Sequence, residues 1–434
     1  MFMNPDVSAS REGPVIRLPA SDRVRHGVRF RRVALAMVKL GMFAGLAGFN
    51  LWWYLRDTRP IADNRTIERW IARGEADRGV LELRETLRRS PHDADARIAL
   101  GRALAASGRL LECARVLESV PDWSPRRFDS LYRAAQAFLM ADRARDAEAV
   151  LKSILDADPL HPPETGLYHD AGQELLKLYA TEDRWEDAYP IIWQVFDRSA
   201  PADRPRALTM RVRSEVERVA PGQRREAAAR YVAADPTDVE ALRALANAEM
   251  ALQRRDEAFH HIKECLRIRP DDPRVWRDYL AMLQATGDRE GFRAAMEKLP
   301  ASADEEPEVW VHRGRQAEQA GDVEAAASAY RKALDLDPNR IAAHYRLAAI
   351  ESRLGHRAEA EAHRRRWDEL REAQTKLRQV DADYRSALSA AAGDNVDPKA
   401  LDTFRAATRR LAATCEALGW ARAAAACRQI LADL

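Results

Sequence analysis

Aromatic residues are 7% of this 434-residue chain, cysteines number four, and few segments alternate apolar with polar residues. Without that alternation there is no case for a β-sheet, and the dominance of alanine, leucine, arginine and glutamate favours helix. Cys113, Cys265, Cys415 and Cys427 lie far apart, with no CxxC pair and no histidine at ligand spacing. That spacing argues against a zinc site or a disulfide framework and for small apolar fillers on helix faces. Net charge is +2, too small to support nucleic-acid binding. No GxGxxG, P-loop, HExxH or GxSxG motif is present, so a nucleophile, base and oxyanion donors have no visible home. On a helix the adjacent His260 and His261 point about 100° apart, and His356 and His363 stand two turns apart, so neither pair makes a simple chelate. Neither an enzyme, a metal nor a cofactor is expected.

Long apolar runs are confined to one place. Residues 1–32 hold seven arginines against three acids, +4, which leaves −2 for the rest of the chain (63 basic against 65 acidic residues). This basic stretch begins with a polar, proline-punctuated tail that reads as disordered. From Val33 to Leu55 the only charge is Lys39. As a helix those residues would reach about 34 Å, enough for a bilayer core of roughly 30 Å. Lys39 sits near the basic end, where it can snorkel, and Trp52, Trp53 and Tyr54 fall at the other, where an aromatic belt belongs. A signal peptide cleaved near Gly45-Leu46-Ala47 would not continue apolar through the tryptophans, and a buried soluble helix would not need the arginines before it. A single uncleaved membrane helix is therefore expected over 33–55. Arg23, Arg25, Arg29, Arg31 and Arg32 place the N-terminus in the cytoplasm and everything past residue 56 on the far, periplasmic or extracytoplasmic, side.

The remainder is periodic. Pro91, Pro125 and Pro159 are 34 residues apart, and so are Pro236, Pro270, Asp304 and Pro338. The two series are nine residues out of phase, most of it supplied by PPETGLY at 162–168. A fixed period of this size signals a repeat array. In residues 307–340, Trp310, Gly314 and Ala317 share one helical face, Gly321 ends that helix, and Ala326, Tyr330 and Ala333 line the next before Pro338. Small residues let two helices approach, glycine supplies the turn, and proline starts the next unit where its missing N–H costs least. The same places are filled at 94–127 (Gly101, Gly108, Leu117), 128–161 (Ala135, Ala147, Leu151), 169–202 (Leu176, Trp185, Ala188) and four times across 239–374. Residues 60–93 and 203–238 keep the pattern weakly, the latter with a shifted turn, APGQ. About nine repeats are thus expected over 60–374. Residues 358–389 read as one long charged helix, the extended second helix of a repeat, with self-association or partner binding as the alternative. C-terminal helices and a capping repeat are expected over 375–434.

A small eighth residue, glycine near the fifteenth, alanine at the twentieth, a large apolar or aromatic twenty-fourth and proline at the thirty-second resemble the tetratricopeptide repeat family. The resemblance implies an all-α, right-handed superhelical solenoid of antiparallel helix pairs, here preceded by the transmembrane helix. It also implies an inner face lined by the second, fifth, ninth and twelfth residue of each repeat. Those places bring forward Tyr132, Gln136, Gln173, Lys177, Arg243, Asn247, Arg277, Gln284, Arg315 and Tyr345, with Arg353 alongside. Cations and amides dominate the second half, which suits a protein or peptide partner that is acidic or offers its C-terminal carboxylate. A merely solvated concave face would carry the same arginines. Arg243 and Asn247 resemble half of the carboxylate clamp of chaperone-binding members, but Ala281 stands where the clamp wants asparagine. Anchored repeat proteins of this kind resemble bacterial envelope assembly factors, which implies a scaffold, or the targeting subunit of an enzyme for lipopolysaccharide, cytochrome or secretion assembly. A repeat-tethered glycosyltransferase would need a further domain, and residues 375–434 are too few to hold one.

Overall fold

The computed structural model describes residues 64–157, 163, 165–216, 219–392 and 397–434. The basic tail and the expected anchor at 33–55 lie outside them, and among the described residues no helix is long and apolar enough to cross a membrane. The described chain is all helical: α1 (Asn64–Ala72), α2 (Ala76–Arg89), α3 (Ala94–Ala106), α4 (Leu110–Glu118), α5 (Arg127–Met140), α6 (Ala144–Leu155), α7 (Thr165–Glu182), α8 (Trp185–Arg198), α9 (Arg204–Val216) and α10 (Pro221–Ala234). Then follow α11 (Val239–Ala251), α12 (Arg255–Ile268), α13 (Pro273–Thr286), α14 (Arg289–Met296), a 3-10 turn (Ala301–Glu305), α15 (Pro307–Ala320), α16 (Val323–Leu336), α17 (Ile341–Arg353), α18 (Arg357–Ala390), α19 (Pro398–Ala417) and α20 (Ala421–Asp433).

One backbone conformation explains the pairing. A residue with positive φ closes the first helix of nine pairs: Gly74, Gly108, Asp142, Asp183, Gln253, Gly287, Gly321, Gly355 and Gly419. At this place the chain reverses through the left-handed region, which glycine enters without a Cβ penalty and aspartate or glutamine at a modest cost. The reversal lays the helices side by side, and small residues then decide how close they come. A Cβ on Gly314 would lie 2.7 Å from the ring of Tyr330, so only glycine lets α15 and α16 approach this far. Aspartates start many of the helices; Asp322, for example, accepts from the amide of Ala325 at 2.9 Å.

The tenth pair does not form. Between α9 and α10 no left-handed residue is described, and the two helices do not pack on one another. Residues 203–238, read above as a weak repeat, form no such pair: α9 packs on α8, and α10 packs on α11. The first stack runs from α1 to α9. Its core then continues not into α10 but into the C-terminal part of α18 with α19 and α20, so that Ile67, Leu104 and Val212 belong to one apolar cluster with Tyr384, Phe404 and Ile430. The second stack, from α10 to the start of α18, leaves the first at α9 and returns to it. Its core is broken into smaller clusters, around Ile262, Tyr330, Leu280 and Ala244.

Specific contacts close the loop. The hydroxyl of Tyr384 on α18 donates to the carbonyl of Pro205 on α9 at 3.3 Å, and its ring packs 5.4 Å from that of Phe404. Arg211 of α9 is sandwiched between Tyr189 (4.0 Å) and Trp420 (3.9 Å). Ion pairs join Arg204 to Asp433 at 2.7 Å and Arg422 to Asp197 at 2.6 Å. Cys415 of α19 and Cys427 of α20 are buried free thiols in the same apolar cluster.

Candidate functional site

Where the two stacks face each other, the turn from α7 to α8 enters the inner side of the second stack. Its centre is Arg184, 8% exposed and stacked 4.5 Å over the ring of Tyr179. The guanidinium reaches Glu148 (2.7 Å), Glu182 (2.8 Å), Asp187 (2.7 Å) and Glu240 (3.7 Å), carboxylates carried by α6, α7, α8 and α11. Farther along the turn, Asp187 accepts from Arg274 at 3.0 Å and Glu186 from Arg277 at 2.8 Å. A hollow of about 400 Å³ remains here, with Glu306, Glu308 and Arg340 on its far side.

The part of the expected peptide groove around Arg243, Asn247 and Arg277 is therefore taken by the protein's own acids. Arg243 is buried, donating to Asp278 at 3.0 and 2.9 Å and to Glu240 at 2.7 Å, and Asn247 donates to the same Asp278 oxygen at 3.1 Å. Arg277 bonds Glu306 as well as Glu186. All three are engaged with the protein's own carboxylates, so the half-clamp expected at Arg243 and Asn247 is corrected to an internal network. Asp278, adjacent to Arg277, and the acid-rich turn EDRWED at 182–187 were the signals in the sequence; the neighbouring repeat brings Asp278 to Arg243, and the meeting of the stacks brings Glu186 and Asp187 to Arg277 and Arg274.

Charge is unevenly distributed in this network. Against burial, which raises it, hydrogen bonds from Arg184 and Lys152 hold Glu148 at about 2. Burial raises Glu182 to about 8, with Asp238 and Glu148 adding to the rise and Arg184 opposing it. A carboxyl with a raised pKa keeps its proton in the folded state after the unfolded chain has released it, so stability falls as pH rises from about 4.5 through about 8. Glu182→Gln keeps the acceptor for Arg184 and removes the titration. Its melting temperature should fall less than that of the wild type between pH 5 and pH 8; equal losses would show that Glu182 does not carry this dependence.

The other expected residues are scattered. Tyr132 and Gln136 lie on α5, with burial and Glu174 raising the pKa of the tyrosine. Gln284 and Arg353 are exposed and line none of the three hollows, and Arg315 is half-buried beside His312, whose pKa burial lowers to about 4. His363, compared above with His356, instead meets His344, Nδ1 to Nδ1 at 3.0 Å. Among the described residues no group of three metal-ligating side chains comes together.

Two places do gather exposed candidates. Lys177, paired with Glu174 at 2.8 Å, and Gln173 line a hollow of about 910 Å³ between α7 and α9. Four cations border it, Lys177, Arg198, Arg206 and Arg213, against Asp170 and Asp203. Tyr168 in its wall is 4% exposed, its ring lies 4.4 Å beneath Arg198, and its hydroxyl has no partner. Tyr345 lines a third hollow, of about 1220 Å³, and packs 5.5 Å from Trp367.

Three stretches, residues 71–137, 239–283 and 307–340, match models described as tetratricopeptide repeat. The chain is a tetratricopeptide repeat protein. Such repeats are protein-binding scaffolds. Solved structures similar to this one include MamA from Desulfovibrio magneticus RS-1 (21% identity, TM-score 0.30, 41% of this chain and 98% of that one) and a tetratricopeptide repeat protein from Parabacteroides merdae (14%, 0.30, 59% and 98%). The human IFIT1 dimer with m7Gppp-AAAA is also similar (14%, 0.34, 79% and 90%). No curated protein matches the chain by sequence.

Proposed function

We propose that this tetratricopeptide repeat protein is a membrane-anchored scaffold, held by residues 33–55, that receives an acidic partner segment between α7 and α9 and helps assemble an envelope complex. The observation that carries the reading is the hollow itself: four cations to two acids, with the partnerless hydroxyl of Tyr168 in its wall. An acidic segment would match the net positive lining and supply an acceptor for that hydroxyl. The uncharged run after Lys39 supports the anchor, and the arginines before it support a repeat domain on the far side of the membrane. Service as the targeting subunit of an envelope biosynthetic enzyme would use the same contact, with the chemistry carried by the partner.

Two experiments test the parts separately. Removal of residues 1–56 should move the protein from the membrane fraction to the soluble one; a soluble full-length protein would sink the anchor. Lys177→Glu with Arg206→Glu should abolish capture of partners from solubilised membranes while leaving the helical circular dichroism intact. Unchanged capture would exclude this hollow as the site.

A further inference from the structure

We infer that the third hollow is a second peptide site, one that exists only because the second stack returns to the first. Its walls come from α17 (Ile341, Tyr345), α18 (Trp367, Arg371, Arg378), the end of α9 and the α19–α20 turn (Leu418, Trp420). No single repeat could build it. At about 1220 Å³ it exceeds the range of roughly 300–1,000 Å³ usual for small-molecule pockets, which favours a peptide segment over a metabolite.

Charge decides the kind of peptide. Glu215 in the wall is held by Arg211 at 3.1 Å, and Asp337 accepts from the amide of Asn339 at 3.0 Å. Arg340 is paired with Glu308. Arg371 and Arg378, two turns apart on one face of α18, form no ion pair among the described residues. The guanidinium of Arg371 lies 5.0 Å from the ring of Trp367, held over an apolar surface. Two uncompensated cations next to Tyr345, Trp367 and Trp420 suit a segment that combines carboxylates with aromatic or large apolar side chains. Arginines and Gln374 interrupt the apolar wall, which is unsuited to a lipid chain, and the basic residues 1–32 carry the wrong charge to fill it.

The inference rests on the scaffold reading but concerns a different surface, so the test separates the two. The full chain in detergent is titrated with a fluorescein-labelled peptide of alternating glutamate and phenylalanine, with its lysine–phenylalanine counterpart, and with phosphatidylglycerol vesicles. The acidic peptide should bind, and Arg371→Glu with Arg378→Glu should weaken it about tenfold or more, the loss expected when charge-assisted contacts are removed. Both arginines are exposed, so the variant should melt as the wild type does. Lys177→Glu with Arg206→Glu should leave this binding unchanged. If instead only that variant loses the peptide, the peptide sits between α7 and α9, and the present inference fails while the proposed function stands. No binding, equal binding of the lysine peptide, or vesicle binding that depends on Arg371 and Arg378 would each overturn the second site.

Discussion

Arg184→Ala is expected to destabilise the fold by about 3–5 kcal/mol, the usual cost of removing one partner from a buried ionic network. The arginine has four carboxylates within 4 Å, and they come from four helices in both stacks. Without it buried Glu182 would lose its ion-pair partner, and Glu148, Asp187 and Glu240 would keep only Lys152, Arg274 and Arg243 with their neighbours. Because a domain's whole stability is about 5–15 kcal/mol, such a loss should be plain in urea unfolding. Arg184→Lys keeps the charge but cannot span the same carboxylates with a planar fork, so it should fall between wild type and alanine. A cost below about 1 kcal/mol for the alanine variant, the range of a surface pair, would mean that Arg184 does not join the stacks.

The second large effect is expected at Tyr384. It is fully buried, stacks on Phe404 and bonds Pro205. Truncation to alanine should cost about 3–5 kcal/mol through the cavity it leaves. Tyr384→Phe removes only the hydroxyl and should cost about 1 kcal/mol. The two also differ in place: the alanine variant should speed hydrogen exchange in Arg204–Val216, because that helix loses its cover, whereas the phenylalanine variant should leave it protected. Exchange in that helix unaffected by the alanine variant would show that α18 does not hold α9.

Much of the fold was legible because it depends on local constraints. A helix pair needs a small residue where helices touch and a tolerated left-handed residue where the chain reverses, and the latter recurs every 34 residues at Gly287, Gly321 and Gly355. Asp142 and Asp183 take the same conformation without glycine, so those turns were hidden from a search for glycine alone. The return of the chain has no period. It rests on single contacts such as Arg211 with Trp420, 209 residues apart, which composition and spacing do not reveal. The one local hint was negative: APGQ in place of a left-handed turn at 203–238, where the stacks separate.

The candidate site was legible to a lesser degree for a related reason. Family positions indicate which side chains point inward, not whether they are already paired. Arg243 does point inward, but Asp278, one repeat farther on, meets it there. Lys177 and Tyr345 line hollows that remain open; the wall opposite Lys177 comes from the next helices, α8 and α9, whereas that opposite Tyr345 belongs to helices distant in sequence.

The return of the chain onto its first stack is the central claim, and a cross-link tests it most directly. Asp197 and Arg422 are exposed and ion-paired at 2.6 Å across the closure. With both changed to cysteine, a short bis-maleimide should join them within one molecule, and the cross-linked peptide should be identified by mass spectrometry. The native thiols at Cys113, Cys265, Cys415 and Cys427 are buried and should stay unreacted. In a solenoid stacked in sequence order the intervening repeats would hold residues 197 and 422 apart. Single labelling at both sites with no intramolecular link would contradict the closed arrangement.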